Sequence, residues 1–254
     1  MTLVDVPESI GLKPTENFAS DNDPIILQEV TQDNPEEEAV VAIPRQVASF
    51  STAWRIPGVC EYAICFFAIK LVNYSFFFWL PYYFHNNYEW TEVYSNKVSI
   101  LFDVGGIVGG IAGGVGSDVW GHRSPVVFLM TLLSIPCLVG ILYCPNSQSI
   151  VSLITMLSGV FVGGAANIVG GACSVDLGKT AKSLGLHSAV PIVTGIVDGT
   201  GSIGAAIGQL AIPYLEEELG WNSVFYIFIA FAILSSLSLC RLIYRDVLSI
   251  YLHR

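Results

Sequence analysis

The sequence predicts an all-α protein that crosses a membrane six times, and three observations carry that expectation. Of 254 residues, 53% are hydrophobic and only 13% charged, against about 25% charged in an ordinary soluble domain. Six apolar stretches lie near or above the ~20 residues that a helix needs to cross a ~30 Å hydrocarbon core. Basic residues gather in alternate connections, which fixes an orientation, because Lys and Arg accumulate on the cytosolic side while acids contribute little.

The predicted spans are residues 58–84, 97–117, 124–143, 149–173, 186–214 and 222–244. The fifth is the most polar, with Pro191, Asp198, Pro213 and five glycines, which membrane helices tolerate where neighbours satisfy the freed backbone groups. Residues 1–57 precede the spans and hold ten of the 21 acids before Ala39, with Lys13 as their counter-charge. Such a segment buries too little apolar surface to offset chain entropy, so it is expected to be a disordered cytosolic tail, either a solvated linker or a regulatory segment. Its first thirty residues lack a basic start followed by an apolar run, so no cleavable signal peptide is expected.

Lys13, Arg45, Arg55, Arg123, Lys179, Lys182, Arg241, Arg245 and Arg254 all fall on one side of this topology, nine of the eleven basic residues. The opposite connections carry Lys97 at one edge, and none in "CPNSQ" or "EEELGW". Both ends are therefore predicted to be cytosolic, with residues 247–254 as the short final segment. Trp54, Trp79, Trp90, Trp120, Trp221 and Tyr244 sit near the predicted interfaces, where amphipathic rings prefer to lie.

Nothing points to enzyme chemistry. Six cysteines lie mostly inside apolar runs without a Cys-x-x-Cys and read as small buried hydrophobes. No Ser/His/Asp set or metal spacing is present, and "DLGKT" lacks the upstream glycine and preceding strand of a phosphate loop. No cofactor, metal or nucleic-acid partner is expected. The lipid bilayer is the first predicted partner.

Lys70 is the outstanding residue, because an ionised Lys near the middle of a span costs about 2.5–3.5 kcal/mol on insertion scales. Asn73 and Tyr74 follow at i+3 and i+4, so the three share a helical face and offer an ammonium, an amide and a phenol to an anion. Alternatively, Lys70 only pairs with an intramembrane carboxylate. Asp103 and Asp198 each open a glycine-rich run in the second helix of a three-helix repeat, a matched placement that suits internal repeats. They are read as proton or substrate groups, or as charge partners across an interface with another helical body. Asn167 faces either a cavity or a neighbouring helix. Glycines at i+4 intervals, Gly105 with Gly109 and Gly113, and Gly204 with Gly208, make flat faces for close helix contact.

The connection Gly114-Val-Gly-Ser-Asp118-Val-Trp-Gly121-His-Arg123 is expected to be a tight turn, with positive φ at Gly121 and Asp118 free to pair with Arg123. It resembles the Gly-x-x-x-Asp-x-x-Gly-[Arg/His]-Arg loop of the major facilitator superfamily, where the resemblance implies a gating role for Gly114, Asp118, Gly121 and Arg123. From Trp54 onward, "AIKLVNYSFFFWLPYYF", "LFDVGGIVGGIAGGVGSDVWG", "SVDLGK", "IVDGTGSIGAAIGQL" and "GWNSVFY" look like the C-terminal half of the eukaryotic sugar-phosphate exchangers. The resemblance implies six of twelve transmembrane helices, with the acidic tail as the central loop. It further implies exchange of a phosphate ester for inorganic phosphate by alternating access, in the endoplasmic reticulum membrane. Lys70, Asn73, Tyr74 and Asn167 would bind substrate, although bacterial relatives place an arginine where this chain has Asn73, one turn or roughly 5 Å from Lys70.

One half of a transport path implies a further partner, either a missing N-terminal half or a second protomer that makes a half-size carrier. A membrane scaffold or regulatory subunit that does not transport is the alternative from another class.

Overall fold

The structure, a computed structural model, describes residues 46–47, 49–183, 186–187 and 189–252. The acidic tail up to Arg45, with Lys13, and the terminal His253 and Arg254 lie outside the described residues, as do the side chains of Lys182, His187 and Arg245. The chain divides into two units, Met1–Gln46 and Val47–Arg254, and the helices belong to the second.

After a single turn, α1 (Phe50–Ala53), come the long helices α2 (Val59–Tyr88), α3 (Glu92–Trp120) and α4 (Arg123–Tyr143). The fifth, α5, is assembled from α-helical Gln148–Ser158, Gly164–Ile168 and Ser174–Ser183, joined by π-helical turns Gly159–Gly163 and Val169–Cys173. Ala189–Leu252 is one hydrogen-bonded run, but Gly220 has φ 75° and ψ 169°, outside any helical region. That break separates α6 (residues 189–219) from α7 (221–252). Among the described residues, five elements are long and apolar enough to cross a membrane, and the break in the last gives the six spans expected.

Several boundaries differ from expectation. α3 continues through Gly114 and Asp118 to Trp120, so the tight connection is only Gly121 and His122. Gly121 does adopt φ 77°, the left-handed conformation that a side chain resists. α5 runs past Cys173 to Ser183, which places Asp176 and Lys179 on a helix rather than in a loop. Leu186 and His187 are extended, and α6 starts at Ala189. The last residues of the expected tail are also ordered, because Ala53 and Ile56 pack with Val59, Ala181, Ala189, Val193 and Ile196 in a small apolar cluster. Burying that surface at the helix ends offsets the entropy cost of ordering these residues.

Two contacts set the architecture. Residues Ala68 to Val72 of α2 are all buried, and five positions at 100° intervals go right round a helix, so α2 is enclosed at this level by its neighbours. α3 and α5 meet backbone to backbone. A Cβ on Gly105, Gly109 or Gly159 would collide with the carbonyl oxygens of Met156, Val160 and Phe102 respectively, and one on Gly164 would stand 2.7 Å from the Gly109 carbonyl carbon. Membrane helices associate through such small-residue faces, since lipid offers no hydrophobic drive. Gly105 and Gly109 are used against α5, and Gly204 against the Phe67 carbonyl of α2.

At the end of the bundle remote from Gly121, aromatic rings take over the packing. Tyr83 lies 5.0 Å from the Trp221 ring and 4.9 Å from Phe225. Trp90 Nε1 donates to Asn146 Oδ1 at 2.9 Å and Tyr88 Oη to the Ile141 carbonyl at 3.2 Å, so the α2–α3 and α4–α5 connections are pinned together.

The α3–α5 crossing yields a contrast. Gly109→Ala is expected to abolish a monodisperse bundle in mild detergent, because the new carbon meets backbone. Gly116→Ala, with open space around it, is expected to be neutral or stabilising by up to about 1 kcal/mol, and size-exclusion profiles with thermal unfolding curves separate the two outcomes.

Candidate functional site

Lys70 reaches its position because α6 makes room for it. A Cβ on Gly201 would stand 2.8 Å from Lys70 Cδ and 2.6 Å from Phe66 Cδ1. The glycine lets the lysine stem lie against the α6 backbone, and the residue is 8% exposed. Nζ donates to Asp198 Oδ1 at 2.7 Å and to Ser202 Oγ at 3.0 Å. It also stands 4.9 Å from the Phe66 ring centroid and 5.6 Å from that of Tyr74, close enough for cation–π attraction. An ammonium has three hydrogens to donate. Two are used, and among the described residues the third has no acceptor.

The pair borders a cavity of about 250 Å³ lined by Lys70, Asn73, Tyr74, Asn167 and Asp198, with Phe66 and the glycine backbone of α5. The four residues singled out for binding thus share one cavity. Asn167 is both cavity-lining and tied to a neighbour, since its Nδ2 donates to the Gly106 carbonyl at 3.2 Å. Among the described residues, Asn73 and the Tyr74 hydroxyl have no hydrogen-bond partner. Adjoining it is a second cavity of about 300 Å³, lined by Asn73, Tyr74, Phe77, Phe102 and Asp103. Asp103 is exposed and without an ion-pair partner among the described residues.

Asp198 corrects the expectation of a charge partner across an interface with another body. Its partner is Lys70 of the same bundle, because Ser202 and Asp198 lie one turn apart on α6 and together meet the only ammonium that α2 buries. Ser202 and Gly201 were missed from sequence. Periodicity alone offered Ser202, at i+4 from Asp198.

A second polar cluster closes the Gly121 end. Arg123 Nε donates to Asp176 Oδ2, its NH2 group is 3.1 Å from Asp118 Oδ1, and its NH1 group donates to Ser117 Oγ at 3.1 Å. Lys179 adds a contact to Asp176 at 3.6 Å. The expected pairing of Asp118 with Arg123 is present, but the planar guanidinium uses its fork to join α3, α4 and α5 at once. Gly114 lies inside α3 with open space about its Cα, and its carbonyl accepts at 2.7 Å from Ser117 Oγ, the hydroxyl that Arg123 also contacts. Nearby on α2, Glu61 accepts from the Gly58 amide at 3.2 Å and pairs with Arg241 of α7 at 3.2 Å.

The Major Facilitator Superfamily model matches residues 6–190. This chain belongs to the major facilitator superfamily. It is 44% identical over 219 residues to sugar phosphate exchanger 3 of Mus musculus, covering 86% of this chain and 44% of that protein. It is 41% identical over 257 residues to sugar phosphate exchanger 3 of Homo sapiens, covering 98% and 52%. A glucose-6-phosphate exchanger of Bos taurus is 36% identical over 267 residues, covering 97% and 53%. The chain spans about half the length of the curated relatives it matches. Within this superfamily it is therefore a six-helix body similar to transporters of sugar phosphates.

The Arg123 cluster predicts a graded response. Arg123→Ala removes the guanidinium that joins three helices and is expected to cost about 1 kcal/mol of bundle stability, whereas Asp118→Ala, with its side chain 68% exposed, is expected to cost under about 0.5 kcal/mol. Denaturant unfolding of both variants in one detergent measures the difference.

Proposed function

We propose that this chain forms the C-terminal six-helix half of an antiporter that exchanges phosphorylated sugars or glycerol phosphate for inorganic phosphate by alternating access. The observation that carries the reading is the buried Lys70 ammonium, held by Asp198 and Ser202, on a cavity that also gathers Asn73, Tyr74 and Asn167. A phosphoryl oxygen takes the free Lys70 hydrogen, and the Asn73 amide and Tyr74 phenol donate to the same group. Asn167 is already fixed through Nδ2 to Gly106 and completes the wall. Such a site binds and releases an anion without covalent chemistry, so the protein acts as a carrier rather than an enzyme.

Charge balance makes the second body necessary. Lys70 and Asp198 together are neutral, and a phosphoryl group brings up to two negative charges at pH 7. A dianion in a low-dielectric cavity needs positive charge from elsewhere, which a second six-helix body facing the cavity supplies. Halves that rock about a midplane site are the arrangement that suits this geometry. In that arrangement the Arg123 cluster, with Asp118, Gly114 and Gly121 of the α3–α4 corner, is a latch that holds one end of the half closed. Residues 1–57 are then the cytosolic link to the other half, both termini are cytosolic, and the endoplasmic reticulum is the membrane inferred from the exchanger resemblance.

The test is uptake of labelled glucose 6-phosphate into phosphate-loaded proteoliposomes. The chain co-reconstituted with the unmatched half of the Homo sapiens relative is expected to exchange, and Lys70→Ala to lower the rate at least about tenfold, the scale of one lost charge-assisted hydrogen bond. Full exchange by the chain alone supports the half-size dimer instead. Exchange unchanged in Lys70→Ala contradicts the assignment of Lys70.

A further inference from the structure

The second cavity has a composition that phosphate binding does not explain. Its walls combine an unpaired carboxylate, Asp103, with the Phe77 and Tyr74 rings, which are 56% and 40% exposed, and with Phe102 behind them. A carboxylate repels a phosphoryl group, so this wall is unsuited to the anion. It does suit a polyhydroxylated ring. An ionised carboxylate accepts hydrogen bonds only, which matches hydroxyl donors, and aromatic faces cover the apolar C–H surface that a sugar ring presents between its hydroxyls.

Position supports the match. Asn73 and Tyr74 belong to both cavities, so the two form one trough with Lys70 at one end and Asp103 at the other. Along α2, Lys70 and Phe77 are seven residues apart, about 10 Å at 1.5 Å per residue, a span on the scale of a phosphorylated hexose. Phe102 is held in place from behind by Phe76, 5.1 Å between ring centroids. Asp103 is placed on the trough by α3, whose backbone is locked to α5 through Gly105 and Gly109.

On the reading of Lys70 as the phosphoryl-binding group, we propose that Asp103, with Phe77 and Tyr74, is the sugar-binding end of the trough and determines specificity for hexose phosphates over inorganic phosphate. Inorganic phosphate occupies the Lys70 end alone. Glycerol phosphate reaches Asn73 and Tyr74 but covers little of the Phe77 ring. A hexose phosphate fills both ends, its hydroxyls donating to Asp103.

The test is competition against labelled inorganic phosphate on the full chain co-reconstituted in lipid nanodiscs with the unmatched half of the Homo sapiens relative, with unlabelled phosphate, glycerol 3-phosphate and glucose 6-phosphate as probes. The wild-type chain is expected to hold glucose 6-phosphate more tightly than the other two. Asp103→Asn, which keeps the shape and removes the charge, is expected to raise the glucose 6-phosphate to phosphate Kd ratio about tenfold, the effect of losing one or two hydrogen bonds to a charged group. Taking the ratio cancels the long-range effect of the lost charge on both anions. Phe77→Ala is expected to shift the same ratio in the same direction and serves as the second variant if Asp103→Asn fails to fold. A ratio unchanged in both folded variants, or equal weakening of both ligands, overturns the proposal. Phosphate binding that is absent from the wild type, or unaffected by Lys70→Gln, overturns instead the underlying assignment of Lys70, and the sugar end falls with it.

Discussion

A positive charge in the middle of an apolar helix constrains everything around it. Lys70 is one of five consecutive buried residues, so no rotation of α2 delivers its ammonium to either water layer, and the charge must be neutralised where it stands. α6 meets that need with three neighbouring positions: Gly201 gives the lysine stem its room, and Asp198 and Ser202 take two of its hydrogens. The contact is polar, yet it positions two helices whose remaining surfaces are apolar and would otherwise pack in many registers. Breaking such a pair leaves one uncompensated charge in a medium that solvates it poorly, which makes the α2–α6 register specific.

The rest of the bundle holds that site still. The glycine crossing fixes α3 on α5, and the π-helical turns of α5 lie on either side of Asn167; single π turns inside α-helices are often found at functional positions. One end is tied by the Arg123 fork, the other by aromatic rings and the Trp90 and Tyr88 hydrogen bonds. Under the proposed function, a half that moves as a body in alternating access needs its stiffness at both ends and its polar groups at mid-height, and these elements are so distributed. The charge neutrality of the Lys70 and Asp198 pair is equally consequential. It permits the bundle to sit in a membrane by itself, and under the proposed function it leaves the attraction for a dianion to be completed by a facing body.

Much of this was legible in the sequence, for definite reasons. Span length is set by the bilayer, so it shows without tertiary information, and the six-span count followed. Lys70 stood out because charge in an apolar run is rare, and the i+3 and i+4 rule brought Asn73 and Tyr74 with it. Gly121 was readable because only glycine takes φ 77° easily. The partner of Asp198 was not readable, since it lies 128 positions away and any of several helices can meet α6. The i+4 glycines announced close helix contact, but that Gly105 and Gly109 meet α5 depends on backbone approach that no periodicity encodes. Helix ends were missed at Trp120 and Ser183 because polar residues such as Asp118 and Asp176 look like loop residues until a guanidinium is found between them.

The central claim is that α2 presents its ammonium to an aqueous cavity that an anion enters, and Tyr74 is the residue at its mouth. The direct measurement is the labelling rate of Tyr74→Cys by a membrane-impermeant thiol reagent, resolved by mass spectrometry, on the chain co-reconstituted with the unmatched half of the Homo sapiens relative, with and without inorganic phosphate. The account predicts that the site reacts from water and that phosphate slows the reaction when Lys70 is present but not in Lys70→Gln. A site that does not react, or a rate that phosphate leaves unchanged with Lys70 intact, contradicts it.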